Sequence, residues 1–186
     1  MRKLVCLVGL LLLVSLPAAA QEARTTTDLS FGYSYIRANP ATTGFPSFNS
    51  NGGTVSLAIN PTRWFGVAGE FGDYHVGQIG SANVDSSFLT YMVGPQVYLH
   101  GYGRFTPFVQ GLVGGAHSNG TAFGVPGSRN SFAMALGGGL DVPFRKHVSL
   151  RLGPVDYLLT DFRETAPGSQ KVQNNLRVSG GVRWRF

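Results

Sequence analysis

The stretch LRVSGGVRWRF, residues 176–186, determines how the rest of the chain is interpreted. Apolar residues and glycine occupy every second position, at Leu176, Val178, Gly180, Val182, Trp184 and Phe186. The positions between them carry serine, glycine and three arginines, Arg177, Arg183 and Arg185. Because successive side chains of an extended strand point to opposite faces, this pattern predicts a β-strand with one apolar face and one basic, polar face.

The same alternation recurs along the chain, whereas helical periodicity is nearly absent. Alternating segments occur at 28–37, 54–59, 64–74, 88–99, 106–116, 131–142 and 148–160. Together with residues 176–186 they make eight predicted strands. The facing of the fifth strand is left open by its pattern, although we expect Gln110 to point inward.

The connections between these strands alternate between long and short. Polar segments 38–51, 73–85, 117–130 and 161–174 are long, and segments 60–63, 101–104 and 143–147 are short. Strict alternation is typical of an up-and-down barrel with tight turns at one end and long loops at the other. An even number of strands places both ends of the chain at the short-turn end.

The composition of the two strand faces predicts which face meets lipid. The face opposite the large apolar residues carries Gly, Ala, Ser, Thr, Gln and charged residues, which suits the packed interior of an eight-stranded barrel. Hydrocarbon admits only helices and closed barrels, because every backbone N–H and C=O needs a partner. The sequence therefore predicts an all-β fold, an eight-stranded antiparallel up-and-down transmembrane β-barrel with short periplasmic turns and long extracellular loops. A soluble periplasmic barrel with a ligand cavity remains the alternative fold.

Aromatic residues are expected at both ends of the apolar band, as at two membrane interfaces. Those near the long loops are Tyr33, Tyr35, Tyr74, Tyr91, Phe132 and Tyr157; those near the short turns are Trp64, Phe65, Tyr98, Phe105, Trp184 and Phe186.

The first residues have the pattern of a signal peptide. Arg2 and Lys3 precede an apolar run at 4–16 that is too short to span a bilayer, and small residues follow at 18–20. We therefore predict a signal peptide at 1–20 and one barrel domain at 21–186. The single cysteine, Cys6, falls in the signal peptide, which excludes a disulfide scaffold or thiolate site from the mature chain. Basic residues are scattered rather than clustered, so nucleic acid is not an expected partner.

Taken in order, these features resemble the small eight-stranded outer-membrane β-barrel family, the OmpA-like and OmpX-like barrels. The residues that carry the resemblance are the signal peptide, GPQVYL at 94–99, FVQGLVGGAH at 108–117 and GGVRWRF at 180–186. The resemblance implies a monomer in the bacterial outer membrane, reached by secretion across the inner membrane. It also implies that Val182, Trp184 and Phe186 form the signal read by the barrel-assembly machinery. The peptidoglycan-binding domain of OmpA-like proteins is not expected here.

Charged residues on the inward face suggest a network inside the barrel. By strand parity the inward charges are Glu70, Asp141, Arg151, Asp156, Arg177 and Arg183. Asp156 faces inward only if a one-residue bulge occurs at Gly153-Pro154. Because an unpaired buried charge is costly, we predict that these residues pair and rigidify a filled lumen. A gated ion path is the alternative.

The sequence predicts no catalytic residue, no metal site and no cofactor. His147, Ser149 and Asp141 have the spacing of a catalytic triad, but they fall at the periplasmic end with Ser149 facing inward. We therefore expect a structural or surface-interaction role, namely envelope integrity, adhesion or ligand contact through the long loops. A lipid-modifying enzyme and a narrow ion channel are the alternatives.

Basic residues also occur at each short turn, at Arg63, Arg104, Arg145 and Lys146. Outer-membrane lipid, including lipopolysaccharide, is the expected partner of such residues at the two ends of the barrel. Ordinary solvated charges are the alternative.

Overall fold

The computed structural model describes residues 25–39, 48–79, 82–100, 104–122, 125–163 and 170–186. They form eight strands: β1 (Thr26–Asn39), β2 (Phe48–Asn60), β3 (Phe65–Ile79), β4 (Ala82–Tyr98), β5 (Thr106–Ala122), β6 (Val125–Arg145), β7 (Val148–Arg163) and β8 (Gln170–Arg185). Consecutive strands pair antiparallel, and β8 pairs with β1 to close the barrel. The predicted eight-stranded all-β barrel is confirmed. The predicted signal peptide lies outside the described residues and stays a prediction.

Two hairpins are longer than the sequence pattern indicates. Strands β3 and β4 have 15 and 17 residues, and β5 and β6 have 17 and 21. Most of the predicted loops 73–85 and 117–130 is therefore paired strand, and pairing continues to Ala122 and Val125. The outward positions cease to be apolar here, as at Asp73 and His75, so the pattern of an apolar outward face does not mark the continuation of the strands. Residues 40–47 and 164–169, in the other two predicted loops, lie outside the described ones.

The outward face of the barrel is apolar. Large side chains there are exposed, for example Phe31 at 56%, Leu136 at 64% and Val155 at 50%. Their neighbours in sequence, such as Ser30 and Ala135, are buried in the interior. This arrangement is the reverse of a soluble barrel, whose apolar residues face inward, and it fits an outer surface in contact with hydrocarbon.

Two aromatic residues that we expected at the interfaces lie inside the barrel instead. Tyr74 and Tyr98 are 1% and 2% exposed. Their positions were predicted from residue type, whereas their strand parity, shared with Glu70 and Gln96, turns them inward. Most of the other aromatic residues of the two groups are exposed on the outward face, including Tyr33 and Trp184.

Several glycines allow neighbouring strands to approach where the narrow barrel curves. A Cβ added at Gly114 would lie 2.0 Å from the carbonyl oxygen of Tyr91, and one at Gly181 would lie 2.1 Å from that of Phe31. By contrast, a Cβ at Gly69, on the outward face of β3, would meet no atom within 4 Å. Glycine is thus required at the first two positions by close backbone contact.

Candidate functional site

The half of the lumen farther from the short turns is organised around Arg177 of β8. This side chain is 0% exposed. Its Nε donates to Oδ2 of Asp156 at 2.9 Å, and Nη2 contacts the same oxygen. Nη1 donates to Oε1 of Glu70 at 2.5 Å and to the hydroxyl of Tyr74 at 3.0 Å. One guanidinium therefore joins β8 to β7 and reaches across the barrel to β3. We call these four residues the Arg177 cluster.

Asp156 reaches this cluster because β7 contains a bulge. The register shifts between Leu152 and Val155, so that β7 has one residue more than β8 over this interval. Gly153 in the bulge has φ of 98°, a conformation that favours glycine. The extra residue turns Asp156 inward, where it is 0% exposed.

A second cluster lies nearer the short turns and is organised around Asp141 of β6. Arg151 of β7 binds this carboxylate with two parallel hydrogen bonds, from Nε at 2.8 Å and from Nη2 at 2.9 Å. Nη1 of Arg183 donates to Oδ2 of Asp141 at 2.5 Å. The guanidinium of Arg151 also lies 4.3 Å from the ring centroid of Phe108, in a cation–π contact. The carboxylate of Asp141 is thus shared by two arginines.

Asp28 of β1 extends this cluster to the rim. Arg185 binds it with two hydrogen bonds, at 2.8 and 3.0 Å, and Asn60 donates to it at 2.9 Å. Nη1 of Arg183 lies 3.6 Å from Oδ2 of Asp28 and thereby connects it to Asp141. The sequence prediction missed Asp28, although its parity with Ser30 turns it inward, and it gave Arg185 no partner. We call Asp28, Asp141, Arg151, Arg183 and Arg185 the Asp141 cluster.

Neutral side chains connect the two clusters. The hydroxyl of Tyr98 lies 3.3 Å from Oδ2 of Asp28 and 2.9 Å from Oε1 of Gln96, and its single proton is shared between these two acceptors. Gln96 donates to Gln110 at 3.4 Å, and Gln110 donates to Asp156 at 3.5 Å. Gln110 is 5% exposed and faces inward. The polar chain therefore continues from the rim to the Arg177 cluster.

The structure places all six sequence-predicted lumen charges inside the barrel, in these two clusters. The network formed by the described residues contains four carboxylates and four guanidinium groups, so its formal charges balance. The carboxylates are Asp28, Glu70, Asp141 and Asp156; the guanidinium groups are those of Arg151, Arg177, Arg183 and Arg185.

The space between the two clusters is small. A cavity of about 20 Å³ lies there, lined by Ser30, Thr54, Glu70, Gln110 and Arg151 among others. A cavity of this size holds about one water molecule. The lumen is therefore packed with side chains around a cavity, as expected for a barrel of eight strands.

The protein is thus a closed eight-stranded barrel with a polar, packed lumen and an apolar outer face. The family model for the outer membrane protein beta-barrel domain matches residues 6–186. The chain belongs to this outer-membrane β-barrel family. A sequence comparison with curated proteins finds no match.

Solved structures of other outer-membrane β-barrel proteins have the same fold. Neisserial surface protein A superposes with a TM-score of 0.68 at 12% identity, over 86% of this chain and 97% of that one. The attachment invasion locus protein Ail of Yersinia pestis gives 0.58 at 21% identity, over 88% and 99%. The outer membrane protein OprG of Pseudomonas aeruginosa gives 0.55 at 12% identity, over 90% and 98%. At these identities the likeness is one of fold.

The residues with triad spacing have other partners in this outer-membrane β-barrel. The Nδ1 of His147 lies 3.0 Å from the carbonyl oxygen of Arg185, and Asp141 is bound by its two arginines. His147 and Asp141 thus have different hydrogen-bond partners, and Ser149 is buried on the inward face whereas His147 is exposed. Among the described residues, no group of His, Cys, Asp and Glu has the arrangement of a metal site.

The residues assigned to the assembly signal lie together on the outward face of the last strand. Val182, Trp184 and Phe186 are 45%, 50% and 67% exposed. The rings of Trp184 and Phe186 stack with centroids 6.3 Å apart.

Proposed function

We propose that this protein is an integral protein of the bacterial outer membrane that acts at the cell surface through the outer ends of two hairpins, β3–β4 and β5–β6. The barrel anchors these hairpins, and its outward face contacts outer-membrane lipid, including lipopolysaccharide. Delivery to the membrane uses the barrel-assembly machinery, which reads the outward face of β8. The observation that carries the proposal is that the lumen is filled while these hairpins extend far past a membrane span.

The strand lengths support this assignment. A strand of about 9–11 residues crosses a bilayer, whereas β4 and β5 each have 17 residues and β6 has 21. The additional residues lie at the end away from the short turns. Pairing holds the projecting strands in a defined orientation, in contrast to free loops of the same length, so these strands present a preformed surface for adhesion or ligand contact.

The packed lumen argues against the two alternative functions. Conduction needs a continuous hydrated path, whereas the two charge clusters fill the lumen and leave a cavity of about 20 Å³ between them. Acyl transfer or hydrolysis needs a nucleophile next to a base, whereas Ser149 and His147 lie in different environments. The projecting end, unlike the lumen, is accessible to molecules outside the cell.

The experiment compares three bacterial strains: a deletion strain, the strain complemented with the full barrel, and one complemented with a trimmed barrel. In the trimmed barrel, residues 76–86 and 118–129 are each replaced by Asn-Gly, which favours a tight hairpin turn. Each Asn-Gly then connects two residues that are already paired across the hairpin, His75 with Ser87 and His117 with Asn130. Surface attachment and resistance to detergent are measured for each strain.

We expect the trimmed barrel to restore detergent resistance and not attachment. The control is a slower-migrating boiled form on electrophoresis, which shows that the trimmed barrel has folded. Attachment that is restored in full by the trimmed barrel would refute a role for the hairpins and leave envelope integrity as the function.

A further inference from the structure

We propose that the short-turn end of the barrel is a binding surface for anionic phospholipid headgroups of the leaflet that surrounds it. Four exposed cations lie at this end: Arg63 of the β2–β3 turn, Arg104 before β5, and Arg145 and Lys146 of the β6–β7 turn. We call them the rim cations. They are spread over three connections rather than concentrated in one, as expected for contacts with several lipids around a barrel.

The acidic residues near this end do not neutralise the rim cations. The described side-chain carboxylates closest to the turns are those of Asp28 and Asp141, which are 1% and 0% exposed. They are bound by Arg151, Arg183 and Arg185 inside the lumen. Because these carboxylates are buried in pairs with arginine, the charged side chains that the described residues expose at the three turns are the rim cations. The complement of these cations is an anionic surface such as a phosphate-bearing leaflet.

Exposed aromatic residues are adjacent in sequence to three of the rim cations. Trp64 and Phe105 follow Arg63 and Arg104 directly, and they are 53% and 49% exposed. Phe144, directly before Arg145, is 78% exposed. Aromatic rings occupy membrane interfaces, where one edge is apolar and the other is wet. Each connection therefore joins a cation for the phosphate to a ring for the glycerol region.

The strand pairing also places one rim cation in line with an interfacial tryptophan. Arg145 pairs with Val148 across β6–β7, Val148 pairs with Trp184 across β7–β8, and Trp184 pairs with Leu29 across β8–β1. Paired residues lie side by side at one level of the sheet. The result is a row from β6 to β1 with the cation at one end and apolar side chains along its length.

Both tryptophans of the sequence, Trp64 and Trp184, lie at this end, so their fluorescence reports on it selectively. The refolded protein is placed in phosphatidylcholine vesicles that contain a minor fraction of brominated lipid, which quenches tryptophan on contact. The brominated lipid is either phosphatidylglycerol or phosphatidylcholine at the same mole fraction. We expect stronger quenching by the anionic lipid, with local enrichment of about fivefold for each engaged cation at low salt. The excess decreases in 0.5 M salt because the charges are screened.

Three variants test the assignment to the rim cations. The fourfold variant R63Q/R104Q/R145Q/K146Q is expected to be quenched equally by the two lipids, and the charge-retaining R63K/R104K/R145K/K146R to keep the excess. Arg37→Gln removes an exposed cation from the opposite end and is expected to leave the excess unchanged. Equal quenching of the wild type by both lipids would overturn the inference, as would an undiminished excess in the fourfold variant. Absence of quenching by either lipid would refute insertion in the bilayer and thereby the proposed function as well.

Discussion

Replacing Arg177 by methionine tests whether the lumen network holds the barrel together. Methionine is of comparable length and is apolar, so the substitution removes the charge and leaves most of the volume filled. Among the described residues, Asp156 then keeps only the 3.5 Å hydrogen bond from Gln110, and Glu70 loses its ion pair with Arg177. Two carboxylates then remain buried without a cation.

The loss in the free energy of unfolding can be estimated from the ion pairs that Arg177 makes. Breaking a buried ion pair by removing one partner costs about 3–5 kcal/mol, because the remaining charge is left in a medium of low polarity. The two pairs of Arg177 share one guanidinium, so their costs do not add independently. We therefore expect Arg177→Met to lower the free energy of unfolding by about 3–5 kcal/mol. The triple variant E70Q/D156N/R177M, which retains no unpaired charge in this cluster, is expected to be more stable than R177M by about 2 kcal/mol.

The assay is urea unfolding of the barrel refolded in lipid vesicles, followed by the fluorescence of the two tryptophans. The matched control is Arg37→Met, the same substitution at an exposed position of β1, which is expected to change the free energy by less than about 0.5 kcal/mol. Equal stabilities of R177M and the Arg37 variant would refute the argument from buried charge. A triple variant less stable than R177M would show that hydrogen bonding, rather than unpaired charge, dominates.

Other consequences are open to direct measurement. The folded barrel should migrate faster on electrophoresis before boiling than after it, and identical mobility would contradict a closed barrel. Glu70→Gln should lower the unfolding free energy by about 1–3 kcal/mol, because the buried guanidinium of Arg177 loses one of its two carboxylate partners and keeps only a neutral amide acceptor there; an unchanged urea midpoint would contradict this. Gly114→Ala should prevent refolding, since its Cβ would lie 2.0 Å from a carbonyl oxygen, whereas Gly69→Ala, with open space around it, should refold normally. Removing the aromatic rings of Trp184 and Phe186 together should slow insertion by the barrel-assembly machinery, as measured by the appearance of the unboiled form; insertion at the normal rate would remove them from the signal.

The facing of most lumen residues follows from the sequence, because the strands alternate strictly and the membrane imposes an apolar outer face. The inward facing of Glu70, Arg177 and Arg183 follows from strand parity alone. Asp156 needs a bulge as well, and the Gly153-Pro154 pair marks where the bulge lies. Tyr74 and Tyr98 show the limit of residue type as a guide, since a tyrosine suits an interface and a polar lumen equally well.

Strand parity predicts which charged side chains face the lumen, but it does not predict which of them pair with each other. Arg177 of β8 reaches Glu70 of β3 across the barrel, and Asp28 of β1 meets Arg185 of β8. Both contacts depend on the stagger at which β8 closes on β1, which is a property of the whole sheet. The length of the projecting hairpins could not be predicted for a different reason. Their strands pair beyond the region in which the membrane requires an apolar outward face.

The balanced lumen has a consequence for the order in which the barrel is completed. All four guanidinium groups of the network come from β7 and β8, whereas Asp28, Glu70 and Asp141 come from β1, β3 and β6. An open sheet of β1–β6 would carry three carboxylates with no arginine of the network beside them. Entry of this sheet alone into hydrocarbon is therefore strongly unfavourable. Neutrality is reached only when the last two strands arrive, which couples closure of the barrel to its transfer into the membrane and disfavours the release of partly built barrels.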